Sequence, residues 1–176
     1  LEEYEELLDY LEPIYRDIMK TGKAIRTSVP AVNALLMAKM GTAQALGIDF
    51  YVEVKSDLKR LPMEPWELCK VLSNLIDNAV TALSEKESGR KMILDISEDR
   101  ERYLFSVSDN GAPIPKERQT AIFRPGFTTK KESGHGMGLY IVSGVLKKSG
   151  GSISVKSDEK ETVFTVSLKK DEAGRR

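Results

Sequence analysis

The chain is poor in the residues that staple or metallate small proteins. It has one cysteine, Cys69, among 176 residues, so an internal disulfide is excluded and a reducing compartment is favoured, with a cytoplasmic location expected. It has one histidine, His135, with no second histidine or neighbouring cysteine to complete a zinc-type site. It has no excess charge: 27 basic and 27 acidic side chains give no general reason to bind nucleic acid or an anionic membrane. No apolar run approaches the roughly 20 residues that cross a bilayer, and no signal peptide is visible. Internal repeats and low-complexity tracts are also missing, as is a Walker A lysine motif. What is present is a globular composition, 40% hydrophobic and 31% charged, with length for one domain plus an appendage. The sequence opens on Leu1 rather than Met and is expected to be a piece of a longer protein.

Residues 1–46 predict a helical appendage. Tyr4, Leu7, Leu8, Leu11, Ile14, Tyr15 and Ile18 recur at three- and four-residue steps, and Ile25, Val29, Val32, Leu36, Met40, Ala43 and Leu46 continue the habit. Such a seam calls for another helix against it. Pro30 opens or kinks a helix, Ser28 is a candidate cap, Pro13 marks an early turn, and Gly47 stops the segment. Residues 48–170 read as one α+β domain, followed by a tail at 171–176. Strands are expected at 50–54, 92–97, 102–108, 151–156 and 162–168, and helices at 65–83, 115–123 and 137–148. The helix at 65–83 would bury Leu68, Val71, Leu72, Leu75, Ile76, Ala79 and Leu83. Strands and helices do not alternate strictly. A two-layer α/β sandwich follows, with a mixed, largely antiparallel sheet and helices on one face.

Three islands carry polar residues where packing alone does not require them. On the helix, Asn74 and Asn78 are one turn apart, with Lys70, Asp77 and Thr81 on the same polar side. Amide oxygens are hard neutral ligands that suit Mg2+, although a solvated helix face has the same pattern. After a strand, Asp109-Asn-Gly111 places a carboxylate at the mouth of a sheet, able to accept from an exocyclic amine. Gly111 leaves room for a flat base, and an ordinary turn reads the same way. Gly134, Gly136 and Gly138 alternate and open a helix, a cradle for phosphate made of backbone amides. Leu139 stands where a dinucleotide fingerprint needs its third glycine. Between the last two islands runs Phe123-Arg-Pro-Gly-Phe-Thr-Thr-Lys130, a lid rich in cations and hydroxyls that Phe123 and Phe127 pin to the core.

In this order the islands resemble the catalytic and ATP-binding domain of sensor histidine kinases, in the ATPase superfamily shared with gyrase and the mismatch-repair ATPases. The N box corresponds to residues 72–79, the first glycine box to 109–111, the F box to 122–129 and the second glycine box to 134–139. Pro30-Ala-Val-Asn-Ala-Leu-Leu-Met-Ala-Lys39 and the Leu46-Gly-Ile sequence resemble the end of the dimerisation hairpin in the citrate/fumarate-sensor and sporulation-phosphotransferase branch. The resemblance implies a Mg2+ ligand in Asn78 assisted by Asn74, an adenine-holding Asp109, and Gly111 beside the base. It places Ile114, Phe123, Thr128, Thr129, Lys130, Gly134, His135, Gly136, Met137, Gly138 and Leu139 around the nucleotide. Lys130 or Arg124 would reach the terminal phosphate. Hydrolytic relatives carry a water-activating glutamate one turn before the Mg2+ asparagine. Asn74 is a poor base, which favours transfer to a protein histidine.

Pro113 departs from the family's second box glycine, and Val80-Thr81 from its usual basic or aromatic residue. Residues 1–46 contain no histidine, so the phosphoacceptor helix is expected to lie outside this chain. The implied protein is an ATP-dependent protein-histidine kinase core, homodimeric in its parent, with ATP and Mg2+ as cofactors and a response regulator as partner. The alternatives are an ATP-binding switch or degenerate phosphotransferase-like module, and a serine kinase of the anti-sigma-factor type.

Overall fold

The computed structural model describes residues 25–124 and 137–171. In chain order the elements are α1 (Pro30–Ala45), β1 (Asp49–Val54), α2 (Pro65–Ser84), β2 (Lys91–Glu98), β3 (Arg102–Asp109), α3 (Gly138–Lys148), β4 (Ser152–Ser157) and β5 (Thr162–Lys169). They form a five-stranded sheet in the order β1-β2-β3-β5-β4. β1 and β2 are parallel, joined by the crossover through α2, and every other neighbouring pair is antiparallel.

Strict alternation makes the sheet two-faced. Met92, Leu94 and Ile96 of β2, Tyr103, Phe105 and Val107 of β3, and Phe164, Val166 and Leu168 of β5 are buried on one face. The opposite face runs through Glu53, Asp95, Ser106, Thr165 and Ser154 in register and stays polar. Helix α2 lays Leu68, Val71, Leu72, Leu75, Ile76, Ala79 and Leu83 onto the apolar face, the set its spacing predicts. Val142 and Leu146 of α3 complete the layer. Each such fully buried aliphatic side chain contributes about 2 kcal/mol of transfer free energy. The Glu67 carboxylate reaches back to the Glu64 N–H (3.3 Å) and closes the first turn of α2.

Helix α1 packs its apolar side onto α2 and β1. Val32, Leu36 and Ala43 are buried in the same core as α2 and β1, together with Ile25 and Val29 ahead of the helix. Lys39 of α1 pairs with Asp77 of α2 at 2.6 Å. No break in the core falls between residues 46 and 48. The expected helical repeat before residue 25 lies outside the described residues. Pro30 is the first residue of α1, and Gly47 ends it at φ +67°. Ser28 does not cap the helix; its hydroxyl donates to the Asp57 carbonyl (2.7 Å). Asn33 ties the start instead, donating to Thr27 O and accepting from Thr27 N, both at 3.0 Å.

The expected helix at 115–123 is two separate 3-10 turns, Lys116–Arg118 and Ala121–Phe123. The Gln119 side chain, which donates to Ile114 O (2.9 Å) and Ser157 O (3.1 Å), holds the segment to the β4–β5 hairpin between them.

Candidate functional site

Helix α2 is the floor of the site. Asn74, Asn78 and Ala82 follow one another at four-residue steps, spanning about 12 Å of helix at 1.5 Å per residue. Glycines from two other segments meet this row at its ends. A Cβ on Gly138 would lie 2.7 Å from Asn74 Oδ1, and a Cβ on Gly111 would lie 2.7 Å from the Ala82 carbonyl carbon. The first and second glycine boxes are therefore brought to opposite ends of one helix face, with Asn78 midway. The space left by the missing Cβ of Gly111 is taken by the backbone of α2 as well as by the Asp109 carboxylate (2.8 Å).

The polar side chains of α2 divide differently from their sequence grouping. Asn74 donates from Nδ2 to Lys70 O (2.8 Å), which leaves Oδ1 toward Gly138. Asp77 turns to α1, where it meets Lys39 and accepts from Ser73 Oγ (3.3 Å), so it does not share the asparagine row. The Lys70 ammonium sits over the exposed Trp66 ring, 5.1 Å from its centroid. Asn78 is the unusual one: its Nδ2 is buried without a hydrogen-bond partner among the described residues. A buried amide left unpaired costs about 1–3 kcal/mol, so this position fits a polar group supplied from outside the described chain. A half-turn of the side-chain amide presents Oδ1 there instead, the hard donor a hydrated divalent cation requires. Among the described residues no cluster of three or more histidine, cysteine or acidic side chains offers another metal site.

At the Ala82 end, Asp109 closes β3 with 4% of its surface exposed. Its Oδ1 accepts the Gly111 N–H at 2.9 Å. Burial pushes the carboxyl up to about 6 from 3.8, partly offset by that N–H. Directly across the ladder stands Thr162, 2% exposed, whose hydroxyl pairs with Ser157 Oγ at 2.6 Å. Ser157 Oγ also accepts the Ile114 N–H (2.8 Å), which fixes the segment after the first glycine box. Thr162, Ser157 and Gln119 are absent from the sequence reading. The available signal was Thr162 itself, a polar residue at the inward position of an otherwise apolar alternation with Phe164, Val166 and Leu168.

At the other end, α3 begins at Gly138 with no side-chain cap on Met137 and no acidic residue in its first turn. Its first N–H groups have no intrahelical acceptor, and Gly138 itself stands at the Asn74 end of the row; a free helix N-terminus attracts an anion. Leu139 packs against the core, as does Ile114, and Met137 is 45% exposed. Phe123 meets the Phe164 ring edge-on, centroids 6.5 Å apart, and anchors the end of the described segment. Thr128, Thr129, Lys130, Gly134, His135 and Gly136, with Phe127, lie outside the described residues.

Residues 63–172 match the family of histidine kinase-, DNA gyrase B-, and HSP90-like ATPases. The chain belongs to this family. It is 32% identical over 152 residues to the sensor protein CitS of Halalkalibacterium halodurans, covering 84% of this chain and 28% of that protein. It is 36% identical over 127 residues to the sensor histidine kinase ZraS of Salmonella typhimurium, covering 72% of this chain and 27% of that protein. The catalytic domain of histidine kinase ThkA superposes with a TM-score of 0.70 at 27% identity, covering 80% of this chain and 91% of that structure. The chain thus spans less than a third of the length of these curated relatives. The family match begins at Met63, after α1 and β1, although both share the core that supports the ATPase elements.

Proposed function

We propose that this chain is the ATP-binding and catalytic part of a sensor histidine kinase of a two-component system. The observation that carries the reading is the single row on α2, where Asn74, Asn78 and Ala82 receive the second glycine box, an open amide position and the first glycine box in turn. Adenine sits at the Asp109 end, its amine donating to the carboxylate oxygen that Gly111 leaves free. The phosphates lie toward the first turn of α3, with Gly134, His135, Gly136, Met137 and Gly138 around them. Ile114, Phe123 and Leu139 line the side of the pocket, while Thr128, Thr129 and Lys130 belong to the lid, Lys130 reaching the terminal phosphate. Asn78 holds Mg2+, which when bound supplies charge neutralisation across the triphosphate. Asn74 orients rather than deprotonates: a neutral amide already committed to Lys70 O cannot act as a base for water. That supports phosphoryl transfer to a presented histidine over hydrolysis.

The acceptor histidine lies on a helix outside this chain, since His135 is the only histidine and stands in the second glycine box. The parent is then homodimeric, and the chain works in the cytoplasm. No helix among the described residues is long and apolar enough to cross a membrane. A response regulator is the downstream partner; ThkA, which shares this fold, has been solved in complex with the response regulator TrrA.

The test is transfer from γ-labelled ATP with Mg2+, using this chain alone and with an added fragment carrying the parent's upstream helix. Acid-labile, base-stable label on the added fragment is expected, and Asn78→Ala should abolish it while still folding cooperatively. ATP hydrolysed without label on either polypeptide would replace the kinase with an ATP-driven switch.

A further inference from the structure

Between Asp109 and Gly111, Asn110 engages its side-chain and backbone oxygen and nitrogen, all four with the 86–91 turn. Its side-chain Oδ1 accepts the Lys91 N–H (2.9 Å) and its Nδ2 donates to Gly89 O (2.9 Å). Its backbone N–H donates to Lys91 O (3.2 Å), and its own carbonyl accepts the Lys86 ammonium (3.1 Å). The β2–β3 ladder ends with Met92 opposite Asp109. One step beyond, the planar amide of Asn110 offers the donor and acceptor of a further peptide unit to the incoming chain. The turn it grips is itself fixed: Arg90 donates to Lys86 O (2.6 Å) and to Leu46 O at the end of α1 (3.0 Å). An ordinary asparagine turn bonds its own backbone two residues on; this one reaches about twenty residues back.

We propose that Asn110, with Lys86, is a positioning residue for base recognition. By pinning the carbonyl and side chain of residue 110 to the 86–91 turn, the pair fixes the direction of the peptide on either side. That direction holds Gly111 against Ala82, brings its N–H to Asp109 Oδ1, and thereby turns the second carboxylate oxygen toward the incoming amine. The proposal rests on the reading of Asp109 as the adenine-facing carboxylate. Only an amide supplies both bonds at this length, so neither alanine nor aspartate can replace it fully.

The experiment titrates Mg·ATP and Mg·GTP into the parent chain, Asn110→Ala and Asn110→Asp, with thermal melting of each. For Asn110→Ala, ATP affinity should fall about tenfold, the factor carried by one net hydrogen bond, while GTP affinity stays put, so base preference falls by the same factor. Asn110→Asp keeps the Lys91 acceptor and should fall less. A purely structural role would lower melting and weaken both nucleotides alike, which would overturn the proposal. An unchanged ATP preference in Asn110→Ala, beside a parent that prefers ATP, would also overturn it and leave the kinase reading standing. A parent that binds neither nucleotide, or shows no preference, removes the reading and the proposal together. Should Asn110→Ala not fold, Lys86→Met removes the ammonium from the Asn110 carbonyl, and a preference unchanged in that variant overturns the proposal equally.

Discussion

On the proposed reading of Asp109 as the adenine acceptor, function is set against stability, and Asp109→Asn separates the two. The folded carboxyl titrates near 6, against 3.8 when exposed, because burial penalises its charge. Holding the proton to about 6 rather than 3.8 corresponds to about 3 kcal/mol. The sign follows from which state holds the proton. Below 3.8 the group is neutral in folded and unfolded chains, and no penalty exists. Between 3.8 and about 6 only the folded chain keeps the proton, so stability falls as pH rises. Above about 6 the charge is present in both states and the full penalty applies. Asparagine has nearly the same shape, keeps an acceptor for the Gly111 N–H, and carries no charge. At pH 7.5 the variant should therefore be more stable by up to about 3 kcal/mol, a rise in Tm of about 6–12 °C for a chain of this size. The gain should shrink toward zero near pH 4. Melting of parent and variant without nucleotide, from pH 4 to 8, reads this directly, and the difference cancels every other carboxylate. The same change places an N–H donor where the adenine amine needs an acceptor, so ATP affinity should fall at least tenfold, measured by calorimetry. For the parent, ATP affinity should rise through pH 6 and then level. Melting curves that stay parallel over the whole range, or a variant that loses stability at pH 7.5, would refute the assignment of a buried carboxylate whose charge is penalised.

Two further substitutions probe the scaffold. Leu36→Ala empties a fully buried site of α1 and should destabilise the whole α/β unit by about 2–5 kcal/mol; a melting transition unchanged in denaturant titration would mean that α1 is an independent appendage. Gly111→Ala puts a methyl group against the Ala82 carbonyl carbon, a backbone neighbour that cannot rotate away, and should cost about 1–3 kcal/mol together with most ATP affinity. Among the described residues, Gly138→Ala presses on the Oδ1 tip of the Asn74 side chain and on no backbone, so it should melt within a degree or two of the parent. Equal loss of melting temperature in the two glycine variants would contradict this distinction.

The described residues of the candidate site that meet on α2 were legible because they are written in local patterns. The four-residue spacing of Asn74 and Asn78, the Asp109-Asn-Gly111 turn after a strand and the glycines before α3 each depend on a few neighbouring residues, and the motif order supplied the family. The buried stripe of α2 was equally readable, since one helix face repeats every three or four residues. Residues 115–123 were harder. Nothing nearby announces that Gln119 will bond to the β4–β5 hairpin and split a helix into two turns.

The sequence by itself determined the element types, the amphipathic faces and the residue chemistry of the nucleotide boxes, because helix and strand periodicities and glycine or amide chemistry are properties of short segments. Tertiary structure alone decided which faces meet. It sent Asp77 to Lys39 and away from Asn78, drew α1 into the hydrophobic core, set Thr162 opposite Asp109, and turned Asn110 back to the 86–91 turn. Each of these depends on strand order and register between segments far apart in the chain, and register is fixed by the simultaneous burial of all the apolar faces rather than by any one of them.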